Sequence, residues 1–123
     1  MTATGPSGDE LLRVLGTLAN PHRLRIVAAL RAERTYVSQL ARELGISRAL
    51  LQLHLRKLEA AGLVSATLEL SEDGKAMKFY EVKPFLVELS PDTIAAAAPT
   101  LTTPTSVKAA SVTPEPGDEG ERP

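Results

Sequence analysis

Along this chain, apolar residues recur every three or four positions in stretches separated by turn signals. Leu11, Val14, Leu15 and Leu18 fall on one face of a helix. Ser7 and Glu10 just before them have the spacing of a capping box, in which each side chain takes the other residue's backbone N–H, so a first helix is predicted over 8–18. Asn20 is placed to cap a second helix whose first turn suits Pro21, with Leu24, Val27, Ala28 and Leu30 as its expected buried stripe up to about residue 31. Residues 35–37 are a short β-prone piece.

Ser38 is expected to cap a third helix over 39–44, with Gly45 after it in the left-handed conformation that ends helices. Ser47 caps again at once, and a long helix follows over 48–61, closed by Gly62. Two helices joined by a glycine-containing turn of this length form a helix-turn-helix, with small Ala41 at the close approach and Leu40, Leu44, Ile46 and Leu51 facing inward. Residues 63–70 and 76–82 are β-prone, and Ser71-Glu72-Asp73-Gly74-Lys75 between them is a turn, so a hairpin, or wing, follows the long helix. In its second strand Met77, Phe79 and Glu81 share one face and Lys78, Tyr80 and Val82 the other. After an extended piece, Ser90-Pro91-Asp92 opens a last short helix to about residue 98.

The expected architecture is therefore mainly α with a small β-hairpin, a winged helix-turn-helix in the order helix, helix, short strand, helix, helix, strand, strand, helix. One domain is expected over 9–98, after a flexible 1–8 and before a disordered tail over 99–123, where Pro, Thr, Ser and acids leave few large apolar side chains to offset the entropy of ordering.

Composition sharpens this picture. With 123 residues, 43% hydrophobic and only 3% aromatic, the core must rest on Leu, Val, Ile and Ala, and so small a core gains from oligomerisation. The absence of cysteine removes disulfides and thiolate metal sites and fits a cytoplasmic protein. No apolar run is long enough for a membrane span, and 1–8 lacks the basic and apolar regions of a signal peptide. The net charge of −1 hides an asymmetry: residues 20–65 carry +5 and the last ten carry −3.

Three stretches resemble the ArsR-type family of winged-helix regulators: Leu18-Ala19-Asn20-Pro21-His22-Arg23-Leu24-Arg25-Ile26, then residues 37–47, then 51–64 with Leu51-Gln52-Leu53-His54-Leu55-Arg56-Lys57-Leu58 at its start. The resemblance implies a regulator that binds double-stranded DNA as a homodimer, with two recognition helices in successive major grooves of an imperfect palindrome. It implies a dimer interface on the first and last helices, here Leu11, Leu12, Leu15, Leu18 and Ile94. Ala49, Leu50 and Leu53 depart from the small polar residues usual in the family's recognition helix. The sequence as a whole resembles a nickel-responsive branch, which implies a response to nickel or another divalent metal, in this chain or through a co-regulator protein.

DNA recognition requires cations and helix caps at phosphates and a few side chains at base edges. The start of a recognition helix enters the major groove, which puts Ser47, Arg48, Ala49, Gln52 and Leu53 at the bases. Arg48 suits guanine and Gln52 adenine. Ser38 and Gln39 of the preceding helix are further candidate DNA contacts; Arg56 and Lys57 are expected nearer phosphates, and Lys75 and Lys78 of the wing at the backbone or minor groove. His54 matches a histidine common in the family's recognition helix and is a candidate phosphate contact, with a structural role at least as well supported. Arg31, Arg34 and Arg42 read as solvated charges, and Asn20 and Arg23 as fixing the junction of the first two helices.

His22, His54 and Asp92 are the candidate metal ligands, against the plainer reading of His22 as a surface residue at a helix start. No nucleophile has an evident histidine partner, and there is no P-loop, G-x-G-x-x-G or H-E-x-x-H, so an enzyme is not expected. The competing reading is a winged-helix protein-docking module, which Leu50 and Leu53 would favour if both were exposed.

Overall fold

The structure, a computed structural model, describes residues 5–102. The elements are α1 (Gly8–Leu18), α2 (Pro21–Ala32), β1 (Thr35–Tyr36), α3 (Val37–Leu44), α4 (Arg48–Ala60), β2 (Val64–Leu70), β3 (Ala76–Val82) and α5 (Pro91–Ala97), followed by a 3-10 turn at Ala98–Thr100. This is the winged helix-turn-helix order. The described residues divide into two compact units, Leu11–Glu88 and a smaller one built from residues 5–10 and 89–102. Among the described residues no helix is long and apolar enough to cross a membrane.

In the larger unit the three strands form one antiparallel sheet in the order β1-β3-β2. Thr35 and Tyr36 lie opposite Tyr80 and Phe79, and β2 pairs with β3 from Val64 opposite Val82 to Leu70 opposite Ala76. The five-residue turn between them is closed by the Ser71 N–H donating to the Lys75 carbonyl at 2.8 Å and the Gly74 N–H to the Ser71 carbonyl at 2.9 Å. Its side chains add a bond from the Ser71 hydroxyl to the Asp73 carboxylate, which holds that carboxyl below the usual aspartate range. Leu40, Leu51, Leu55, Leu58, Leu63 and Val64 pack with Ile26, Leu30, Val37, Ala41 and Tyr80 into one core that joins α2, α3, α4 and the sheet.

Two expectations fail here for physical reasons. The buried stripe of α2 is Ile26 and Leu30, while Leu24 and Ala28 are exposed and Val27 is half-buried. Helix α2 has apolar residues on nearly every side, so spacing did not determine which side meets the core. Ser38 does not cap α3, which starts at Val37 after Tyr36 with no side-chain cap. Pairing of β1 with β3 holds Tyr36 extended, and the helix begins directly from the strand. The expected cap at Asn20 is present, its side chain accepting from the His22 and Arg23 N–H groups.

The smaller unit joins the first turn of α1 to the end of α5. The Ser7–Glu10 capping box forms as the sequence predicts, with bonds of 2.9 and 3.1 Å. The Gly8 N–H donates to Thr100 Oγ1 at 2.7 Å, and the Asp9 carboxylate accepts from the Thr102 N–H and hydroxyl at 3.1 and 2.8 Å. Residues 98–102, assigned by sequence to the end of the last helix and the start of the tail, thus have definite partners; 103–123 and 1–4 lie outside the described residues. Of the expected dimer residues, Leu12 and Ile94 are exposed, Leu15 and Leu18 half-buried, and Leu11 already buried within the single chain.

A Cβ on Gly8 would lie 2.6 Å from the Ala97 carbonyl oxygen and 2.7 Å from the Leu101 side chain. Ordinarily Gly→Ala in a helix stabilises by about 0.5–1 kcal/mol. Here overpacking, typically about 1–3 kcal/mol, outweighs that gain. Gly8→Ala is expected to speed hydrogen exchange of the α5 amides; unchanged protection would show that this packing tolerates a methyl group.

Candidate nucleic-acid interface

The site rests on α4. Ser47 caps it, its Oγ accepting from the Leu50 N–H at 3.0 Å. Leu51, His54, Leu55 and Leu58, at i, i+3, i+4 and i+7, form its buried stripe. The same geometry puts Arg48, Ala49, Gln52, Leu53, Arg56 and Lys57 on the exposed side. Arg48, Gln52, Arg56 and Lys57 make no side-chain hydrogen bond or ion pair among the described residues, so their donors are open to a ligand. Leu53 is 43% exposed, while Leu50 is half-buried, so the recognition face carries one protruding leucine rather than two.

The helix before it is held at a fixed angle by the turn. Gly45 adopts φ 70°, ψ 32°, a left-handed conformation costly for residues with a Cβ, and its N–H closes α3 onto the Ala41 carbonyl at 2.8 Å. Ser38 and Gln39 lie half-buried near the start of α3. The Gln39 amide is tied along the helix: it donates to Glu43 at 3.0 Å and accepts from Arg42 at 2.9 Å.

The wing is fastened at its side. Arg34 makes a two-pronged pair with Glu69 of β2, at 2.7 and 3.1 Å, and its guanidinium lies 4.5 Å over the Phe79 ring. That bond raises the Arg34 pKa and lowers that of Glu69. Arg34 is exposed, as the sequence reading has it, but is paired with Glu69, and nothing in the local pattern marks a pair so far apart in the chain. Lys75 is exposed at the wing tip, and Lys78 has its ammonium 5.6 Å from the Tyr80 ring centre.

Comparison with known proteins agrees with this geometry. The family model described as bacterial regulatory protein, arsR family, matches residues 20–66, which run from the cap of α2 to the start of the wing. An uncharacterised HTH-type transcriptional regulator of Methanocaldococcus jannaschii is 37% identical over 76 residues, 62% of this chain and 79% of that protein. The chain belongs to the arsR family. Among solved structures of similar fold, NolR from Sinorhizobium fredii has a TM-score of 0.54 at 26% identity, covering 80% of this chain and 92% of that one. The cadmium metal-sensor CMTR from Mycobacterium tuberculosis has a TM-score of 0.51 at 29% identity, covering 91% and 99%. As an arsR-family protein the chain is a DNA-binding transcriptional regulator and not an enzyme.

One residue expected at the DNA lies elsewhere in this arsR-family chain. His54 is 5% exposed and faces α2. Its Nδ1 accepts from Arg23 Nε at 3.1 Å, and Arg23 Nη1 reaches on to the Thr17 carbonyl at 3.1 Å. The histidine thus joins the recognition helix to the α1–α2 junction and has no path to a phosphate. Its spacing from Leu51, Leu55 and Leu58 is the sequence signal for this burial. The His22 ring packs against it, 5.2 Å between centres. Two metal candidates are thereby neighbours, but Nδ1 of His54 is already bonded, and among the described residues no three His, Cys, Asp or Glu side chains group as metal ligands. Asp92 lies on α5 in the other unit. Within the described residues of one chain, His22, His54 and Asp92 are therefore not gathered into a metal centre.

His54 Nε2 is buried without a hydrogen-bond partner. Burial first, then the charges of Arg23, His22 and Lys57, lower its pKa. The unfolded chain therefore takes up this proton before the folded one does. Stability is full above the ordinary histidine value and falls as pH drops from there through the lower folded value. Urea unfolding at a series of pH values from 8 to 5 should show this loss in the wild type and a smaller one in His54→Gln; equal slopes would remove His54 as the cause.

Proposed function

We propose that this regulator binds an imperfect palindrome as a homodimer, reading bases with Arg48 and Gln52 at the start of α4. The observation that carries the reading is the open, unpaired face of α4 beside a capped helix N-terminus. Arg48 offers the fork that matches guanine, and Gln52, one turn on, the amide that matches adenine. Ala49 and Leu53 supply apolar contact of the kind a thymine methyl accepts. Arg56, with Ser38, Gln39 and Ser47, fixes the helix on phosphates, and Lys75 and Lys78 bring the wing to the backbone or minor groove. Exposed Leu12 and Ile94 favour an interface on α1 and α5, as the family resemblance implies.

The signal is a separate matter. One relative of similar fold is a cadmium sensor, and a response to nickel or another divalent metal remains part of the proposal, with His22 the more accessible of the two histidines. A co-regulator protein is the alternative source of the signal.

Selection of bound sequences from a random duplex pool, with and without nickel or zinc, tests both parts. Half-sites about one helical turn apart are expected. A metal-dependent change would put the sensor in this chain, and an identical outcome with and without metal would remove it. No enrichment at all would favour the docking-module reading. On the selected site, Arg48→Ala should cost about 1–3 kcal/mol and relax the preference at one position per half-site. Lys75→Ala should weaken all sequences alike and reduce the salt slope by about 1. If Arg48→Ala leaves the preference intact, the placement of α4 in the groove is wrong.

A further inference from the structure

A recess of about 610 Å³ opens between the second half of α1, the start of α2 and the end of α4. Arg13 and Thr17 line it from α1, Arg23 from α2, and Lys57, Ala60 and Ala61 from α4. Its charged side chains are three cations, with no carboxylate among its lining residues. The chain has 15 acidic and 14 basic residues, so acids are not scarce. The one ion pair among the described residues joins Arg34 and Glu69 and lies elsewhere. Neither the Arg13 nor the Lys57 side chain makes a hydrogen bond or ion pair among the described residues. Three like charges around one opening repel one another unless an anion joins them.

Arg23 is fixed in this recess before any ligand arrives. Its Nε donates to His54 and its Nη1 to the Thr17 carbonyl, both at 3.1 Å, which leaves Nη2 without a partner. A guanidinium held in this way loses little freedom on meeting an oxyanion and offers it the N–H donors of Nη2. Arg13 and Lys57 are exposed and can close on the same ligand from either side. Lys57 was expected at a DNA phosphate; its position beside Arg13, Thr17 and Arg23 gives it a different neighbourhood from Arg48 and Gln52.

We propose that the recess formed by Arg13, Arg23 and Lys57 binds a small oxyanion of the phosphate-ester class. Binding would cross-link α4 to α1 and α2, since Lys57 and the His54 partner of Arg23 both belong to the recognition helix. An occupied recess would thus bias the orientation of that helix. This regulatory consequence rests on the DNA-binding reading above, whereas the binding itself does not.

The test uses the full chain in solution, with inorganic phosphate and then pyrophosphate titrated at constant ionic strength while the Thr17 amide and the arginine Nε–H signals are followed by NMR. Saturable shifts at Thr17 and Arg23 are expected. Arg13→Gln and Lys57→Gln, both at exposed side chains, should each weaken binding by about 5-fold, the scale of one partly solvated charge contact. Arg25→Gln, which removes an exposed cation outside the recess, should leave it unchanged. Shifts that never saturate, or that respond equally to Arg25→Gln, overturn the site. A second arm adds a random-sequence duplex. If duplex moves the same Thr17 and Arg23 signals and phosphate competes with it there, the recess is a seat for the DNA backbone and the small-anion proposal falls. If duplex moves only the α4 start and the wing, the proposal stands. Failure of the duplex to bind at all would count against the DNA-binding reading alone.

Discussion

Helix α4 has two faces, and the buried one determines what the other can do. Leu51, Leu55 and Leu58 are completely enclosed, and each makes dispersion contacts with α2, α3 or the sheet that leave no freedom to rotate about the helix axis. With that rotation fixed, Arg48, Gln52 and Arg56 can only point outward. The Arg23–His54 bond adds a polar constraint where leucine packing ends, because a buried imidazole with one satisfied nitrogen tolerates few positions. Specific side chains at base edges require this kind of rigidity, since a recognition helix free to roll would present no constant pattern of donors.

The arginines illustrate how position decides the meaning of a charge. Arg34 is paired with Glu69 of β2 and lies over the face of Phe79, so its charge is spent at the surface beside the wing. Arg23 is drawn inward as a strut between three helices. Arg48 and Arg56 stay unpaired on the open side of α4. The chain as a whole is slightly acidic, yet among the described residues unpaired cations stand on α4, at the wing and in one recess as well as on α2 at Arg25 and Arg31. A field of this kind depends on where charges are left unpaired rather than on their sum. Lys57 shows the consequence most directly, standing at the far end of the recognition helix among cations from two other elements.

The sequence by itself determined the element order, the Ser7–Glu10, Asn20 and Ser47 caps, the left-handed Gly45 turn and the two wing strands. These are local matters: a cap or turn is decided by groups within four residues of each other, and a regular apolar spacing is decided by helix or strand geometry. The spacing of Leu51, Leu55 and Leu58 also contained the burial of His54. Only tertiary structure decided the rest. Helix α2 has apolar side chains on several sides, so the choice of Ile26 over Leu24 came from the neighbours that packed against it. The start of α3 was settled by Tyr36 pairing with Phe79, and the fate of Arg34 by Glu69, partners remote in sequence that no local pattern announces. The gathering of Arg13, Arg23 and Lys57 has the same origin, because which charges face one another is a property of how helices cross, and a crossing is fixed by core packing at long range.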